Sequence, residues 1–171
     1  VANFASMRLH VELQSIPIVL NAGGDAVWAK ISSMSSLDID LNKFDAAMVD
    51  LDGTMVDTLG DFAAALNLML DELGLARVAP EAVESMVGKG SEHLIHSVLR
   101  HVRGGREADG ELYDAAWQRY SRHYLAINGR HSRVYAGVVE GLRALRARGM
   151  RLACLTNKPG DFAKPLLAAK G

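Results

Sequence analysis

The chain has 171 residues, of which 49% are hydrophobic and 23% charged, and a formal net charge of -1. That balance describes a globular protein and argues against a nucleic-acid surface or a highly charged disordered chain. No run approaches the roughly 20 apolar residues of a membrane helix. The first 33 residues carry Glu12 and Asp25 and lack the basic start and apolar centre of a secretory signal, so the expected compartment is the cytoplasm.

Residues 1–33 show no sustained period of either kind, and Asn21-Ala22-Gly23-Gly24-Asp25 is a loop signal. They are expected to be an N-terminal extension outside the core, with Met34 as a natural start of translation. From Phe44 to Val49 a short apolar run stops abruptly at Asp50-Leu51-Asp52-Gly53, the pattern of a buried parallel strand opening into a loop. Phe62, Leu66, Met69, Leu70 and Leu73 then recur at helical spacing and end at Gly74. Pro80 can open a second helix. Ser91 can cap a third, whose apolar face holds Leu94, Ile95, Val98, Leu99 and Val102. A fourth runs through Leu112, Ala116, Trp117, Tyr120 and Tyr124 towards Gly129.

Four helical segments between two strands exceed a simple crossover and predict an inserted helical subdomain. Val138, Val139, Leu142 and Leu145 mark a further helix ending at Gly149, and Met150 to Leu155 form a second strand that leads into Thr156-Asn157. Asp161 can cap a last helix containing Pro165.

Asp and Gly are poor strand residues, so two aspartates one residue apart at a strand end point to chemistry rather than to sheet formation. Asp50 can attack phosphorus as a carboxylate nucleophile, which divides one difficult displacement into two easier ones. Asp52 can protonate the leaving alcohol and later accept a proton from water. Gly53 lets the backbone approach a phosphate closely, with Thr54 beside it. Two like unit charges at 4 Å repel by about 4 kcal/mol at an effective dielectric of 20, so a cation is required. Magnesium fits, with Asp50 and the backbone carbonyl of Asp52 as candidate metal ligands. At the second strand end, the Thr156 hydroxyl and the Asn157 amide could bind phosphoryl oxygens. The competing reading is an Asp-Gly turn with surface carboxylates; a partial calcium loop is a weaker one, because no bidentate Glu follows at the required spacing.

Residues 44–57, ending in Asp50-Leu51-Asp52-Gly53-Thr54-Met55-Val56-Asp57, resemble the first motif of the haloacid dehalogenase superfamily. In that resemblance Asp50 matches the nucleophile and Asp52 the acid/base. Leu152 to Pro159, with Thr156-Asn157-Lys158-Pro159, resembles the second motif, and the intervening helices resemble the cap of the phosphoglycolate phosphatase branch. The resemblance implies an α/β fold with a Rossmann-like parallel-sheet core, residues 34–58 and 133–171, interrupted by a helical cap over residues 59–132. It also implies magnesium-dependent hydrolysis of a small phosphorylated metabolite, 2-phosphoglycolate above all, with Lys89 in a cap loop that helps select substrate. A pyrophosphatase or a sugar-phosphate mutase would use the same aspartate pair, and a non-catalytic fragment or interaction module is the alternative from another class. The third-motif lysine and fourth-motif acidic pair of such relatives are not matched by Lys158, Lys164, Lys170 or Asp161. The chain is therefore expected to stop before those motifs and to have little activity alone.

Other constellations lead elsewhere. Gly88-Lys89-Gly90-Ser91 fails the phosphate-loop spacing, since Val83 stands where a Gly is needed and Gly90 where a Ser or Thr is needed. His93 and His96 share a helix face without a third ligand. Arg143, Arg146, Arg148 and Arg151 read as a solvated face. Trp28 and Trp117 read as packing residues, and Cys154, in an apolar run, as a buried thiol.

Overall fold

The computed structural model describes residues 16–22, 25–31 and 44–171, with side chains from residue 44 onward. Met34 and the side chain of Trp28 lie outside the described residues. Two compact units emerge, one formed by residues 1–50 and 135–155, the other by residues 51–134 and 156–171.

The first unit is built on a sheet of order β2-β1-β3-β6. Strand β3 (Ala46–Val49) is the apolar run that precedes the paired aspartates. It pairs in parallel with β6 (Arg151–Cys154), with Val49 opposite Cys154, as the sequence pattern predicts. The Leu155 N–H donates to the Val49 carbonyl at 3.0 Å, extending the pairing one step. On its other side β3 pairs antiparallel with β1 (Ile16–Ala22), which forms a hairpin with β2 (Asp25–Ile31). The sequence singles out no strand there, because Pro17 interrupts a short apolar run and prolines are disfavoured inside strands. The β-branched residues Ile16, Ile18 and Val19 nevertheless suit a pleated ladder. Helix α5 (Val138–Ala147) lies between β3 and β6 in sequence. Ala47 and Met150 form a small buried cluster with Phe44 and Leu145 packed against it.

Strand β6 is exposed at all four positions, so Cys154 is an exposed thiol rather than the buried one its apolar neighbours suggest. The strand is the last in the sheet order. Arg143, Arg146, Arg148 and Arg151 are also exposed, consistent with a solvated face.

The second unit is helical. Helices α1 (Leu59–Glu72), α2 (Pro80–Glu84), α3 (Ser91–Val102) and α4 (Gly110–Ile127) occupy the predicted segments. Details at their ends differ from expectation. Ser91 is the first residue of α3, after a Gly90 cap, and α6 (Gly160–Lys170) is preceded by Pro159 with Asp161 in its first turn. Asp109 caps α4 by accepting from the Leu112 N–H at 2.8 Å.

The helical core consists of Leu66, Met69 and Leu70 on α1, Ile95, Val98 and Leu99 on α3, and Ala116, Tyr120 and Tyr124 on α4, all fully buried. Phe162 of α6 joins the same cluster, so residues 156–171 group with the helices rather than with the sheet. Each such aliphatic side chain contributes about 1.5–3 kcal/mol on burial. Glu72 of α1 ties to α4 through Arg122 at 2.5 Å and His123 at 2.8 Å.

A short two-stranded ribbon joins β4 (Val56–Asp57) to β5 (Arg133–Val134). Beside it, the buried Asp61 carboxylate accepts from the backbone N–H groups of Gly129 at 2.8 Å and His131 at 2.7 Å. Lys170 donates to the Gly129 and Ser132 carbonyls of the same segment. Gly60 is required there by space: a β-carbon would stand 2.6 Å from the His131 carbonyl oxygen.

Candidate active site

The parallel pairing of β3 with β6 sends two loops off the same end of the sheet, one starting at Asp50 and the other after Leu155. Asp50 is half-buried and belongs to the sheet unit. Two residues on, Asp52 belongs to the helical unit, where most of the chemistry-bearing side chains gather.

The loop 51–56 is held by its own backbone. The N–H groups of Met55 and Val56 both donate to the Leu51 carbonyl at 3.0 Å, and Gly53 N–H donates to the Val56 carbonyl at 2.9 Å. Gly53 has φ +75° with open space where a side chain would be. Its immediate necessity here is therefore the left-handed backbone. Thr54 is buried in the loop.

Asp52 is the most heavily supported side chain of the site. The Thr58 hydroxyl donates to its Oδ1 at 2.8 Å. Lys158 Nζ donates to both oxygens, at 3.0 and 3.2 Å. Thr58 occupies the N-cap position of α1, yet its side chain makes no capping bond. The capping hydroxyl is diverted to Asp52, and the Leu59 N–H turns to the Asp57 carboxylate instead, at 3.2 Å.

Lys158, to which the sequence assigns no role, is the charged partner of Asp52. Its side chain is fully buried, while that of Asp52 remains 14% exposed. The ammonium lies over the rings of Phe62, 4.5 Å from the centroid, and Tyr124, at 4.6 Å. Burial pulls its pKa below the ordinary lysine range, an effect that the neighbouring Asp52 and, more weakly, Asp61 oppose. Burial also pushes the Tyr124 phenol up, with Tyr120, Asp52 and Asp61 adding to the rise. The signal in the sequence is a lysine placed one residue after Asn157, in the short loop between a strand end and a helix.

Thr156 is half-buried, and its hydroxyl accepts from the Lys158 N–H at 3.2 Å, shaping the second loop. The exposed Asn157 donates through Nδ2 to the Gly88 carbonyl at 3.2 Å. That contact brings the cap loop carrying the exposed Lys89 to the second-motif loop. His93 is exposed and lies beside Ser97, and His96 stacks on Tyr113 at 4.2 Å, so each has an ordinary neighbour. Among the described residues no cluster of three or more His, Cys, Asp or Glu could hold a metal ion. The Asp52 carboxylate is engaged by Lys158 and Thr58.

A paired-aspartate loop at the end of a parallel strand, with a hydroxyl-bearing loop leaving its neighbour, defines a class of hydrolase. Residues 44–171 match the haloacid dehalogenase-like hydrolase family, and the chain belongs to it. Among its relatives, the phosphoglycolate phosphatase of Nitrosospira multiformis is 48% identical over 124 residues, covering 72% of this chain and 54% of the relative. That of Thiobacillus denitrificans is 40% identical over 126 residues, covering 74% and 55%. The crystal structure of a predicted phosphoglycolate phosphatase from Haemophilus somnus superposes with a TM-score of 0.67 at 31% identity, covering 71% of this chain and 55% of that one. A hydrolase from Pseudomonas syringae, at 23% identity and a TM-score of 0.58 over 70% of this chain and 53% of that one, shares the fold. The chain spans about half the length of the curated relatives it matches.

Proposed function

We propose that this chain carries the nucleophile half of a magnesium-dependent phosphatase whose substrate is a small phosphate monoester, 2-phosphoglycolate first among them. The observation that carries the reading is the Asp50-Leu51-Asp52 sequence leaving the end of β3, in a chain similar to proteins named phosphoglycolate phosphatase. An Asp50 carboxylate oxygen attacks phosphorus while the bond to the leaving oxygen breaks, and Asp52 gives that oxygen a proton. Water then attacks the aspartyl-phosphate, its proton passes to Asp52, and inorganic phosphate leaves with Asp50 restored. Magnesium, held by Asp50 and the Asp52 backbone carbonyl, supplies charge neutralisation when bound. Gly53, Thr54, Thr156 and Asn157 contribute the phosphate-binding positions, and Lys89 meets an anionic substrate from the cap loop. The proposed site of action is the cytoplasm; among the described residues no helix is long and apolar enough to cross a membrane.

The test is a panel of phosphate esters, pyrophosphate and sugar phosphates, assayed with and without magnesium on the complete gene product and on Asp50→Asn. Magnesium-dependent release of phosphate from 2-phosphoglycolate, lost in Asp50→Asn, is the expected result. Preference for pyrophosphate, or isomerisation of a sugar phosphate, would move the assignment to another activity of the family. Lys89→Ala should weaken turnover of phosphoglycolate more than that of a neutral-tailed ester. Equal losses would leave Lys89 as a loop residue.

A further inference from the structure

A fully buried ammonium needs an explanation, because removing a charge from water costs several kcal/mol unless its partners compensate. Lys158 has three N–H donors. They face two carboxylate oxygens of Asp52, at 3.0 and 3.2 Å, and the faces of Phe62 and Tyr124. Nothing of the ammonium is left over for a substrate. Its backbone N–H is tied to the Thr156 hydroxyl at 3.2 Å, so the stem starts from a fixed point as well. The ring faces come from α1 and α4, two helices separated in sequence from the loop that carries Lys158.

We propose that Lys158 is a positioning residue for Asp52: its ammonium fixes the direction of the acid/base carboxylate, and the Phe62 and Tyr124 rings fix the ammonium, so the helical unit sets the geometry of proton transfer. The proposal rests on the role of Asp52 given above. Turning Asp52 away from Lys158 would leave the ammonium buried against the rings alone, and this penalty holds the carboxylate in one orientation. Thr58 constrains the same oxygen from the start of α1. A positioned acid matters most where the leaving group needs a proton and least where it does not.

The experiment is a leaving-group series on the complete gene product, comparing alkyl phosphates with p-nitrophenyl phosphate for wild type, Asp52→Asn, Lys158→Met, Lys158→Gln and the Asp52→Asn/Lys158→Met pair. Lys158→Met should lower kcat for alkyl phosphates by about 100-fold and for p-nitrophenyl phosphate by no more than about 5-fold, the range expected when general acid catalysis alone is impaired. KM should change little. In the Asp52→Asn background, Lys158→Met should add no further loss, since it acts only through that carboxylate. Tyr124→Phe, which keeps the ring face, should match wild type, whereas Tyr124→Leu should reproduce part of the Lys158→Met pattern.

A uniform loss across leaving groups for Lys158→Met, beside a leaving-group-dependent loss for Asp52→Asn, would overturn the positioning role alone. A uniform loss for Asp52→Asn would instead overturn the acid/base reading on which it rests. Should Lys158→Met not fold, Lys158→Gln serves in its place. Proton NMR of the wild type supplies a readout independent of turnover. The Lys158 ε-methylene protons should be shifted upfield by the two rings and return towards ordinary values in Tyr124→Leu. Ordinary values in wild type would remove the geometric basis of the proposal.

Discussion

Leu66, Leu70, Ile95, Leu99, Tyr120 and Tyr124 of the helical unit are completely buried, whereas every residue of β6 in the sheet unit is exposed. The helical unit draws its stability from interlocked side chains on α1, α3, α4 and α6. In the sheet unit the β3–β6 pair is a backbone ladder with few fully buried side chains around it. The contrast separates two tasks. In the function proposed above, the sheet end supplies the loop that begins at Asp50, while the helical unit supplies Lys158 and Thr58, which hold Asp52.

The largest effect expected from this contrast is in core packing. Leu66→Ala should destabilise the protein by about 2–5 kcal/mol, while Leu152→Ala on β6 should cost under about 0.5 kcal/mol. Denaturant unfolding of the two variants measures the difference, and equal costs would break the comparison. Gly60→Ala comes next. Its new β-carbon would press on the His131 carbonyl oxygen, in a segment whose His131 N–H is tied to Asp61 and whose Ser132 carbonyl is tied to Lys170, so a loss of about 1–3 kcal/mol is expected by the same method.

A smaller effect of opposite sign should come from Tyr124→Phe. The Tyr124 hydroxyl is buried and finds no hydrogen-bond partner among the described residues, so its removal should stabilise the fold by up to about 1 kcal/mol. A clear loss of thermal stability would show that the hydroxyl has a partner worth keeping.

The smallest concerns surface charge. Arg122, then His123, holds the Glu72 carboxyl below its usual range. A carboxyl whose folded pKa is depressed adds stability above its unfolded pKa, and this is lost as pH falls through the folded value. Glu72→Gln should therefore flatten the decline in stability on the acid side of about pH 4.5 and change little at higher pH apart from a constant offset. An unchanged acid slope would show that solvent screens the cluster fully.

The helical unit was the more legible in sequence because its apolar residues repeat at 3.6-residue spacing and its helices stop at glycines such as Gly74 and Gly129. Strands β3 and β6 were legible from their apolar runs and the polar loops that follow. The hairpin β1–β2 was not, since its pairing with β3 depends on contacts distant in sequence and Pro17 speaks against a strand. Exposure of Cys154 depends on what packs over β6 in the folded chain, which local hydrophobicity does not encode. Asp50 and Asp52 stood out in sequence because aspartate and glycine are poor strand formers, and both residues follow the end of β3. Lys158 was not, because its partner Asp52 lies 106 residues away and only the folded chain brings them together. Thr58 likewise stands out only through its hydrogen bond to Asp52 in the folded chain.

The central claim is that Asp50 is the residue that takes up the phosphoryl group. Rapid acid quenching of the complete gene product turning over phosphorus-32-labelled 2-phosphoglycolate, followed by peptide mapping, tests it most directly. The account predicts a hydroxylamine-sensitive label on the peptide containing Asp50, present in wild type and absent in Asp50→Asn. Label on another residue, or turnover that survives Asp50→Asn in a folded protein, would contradict it.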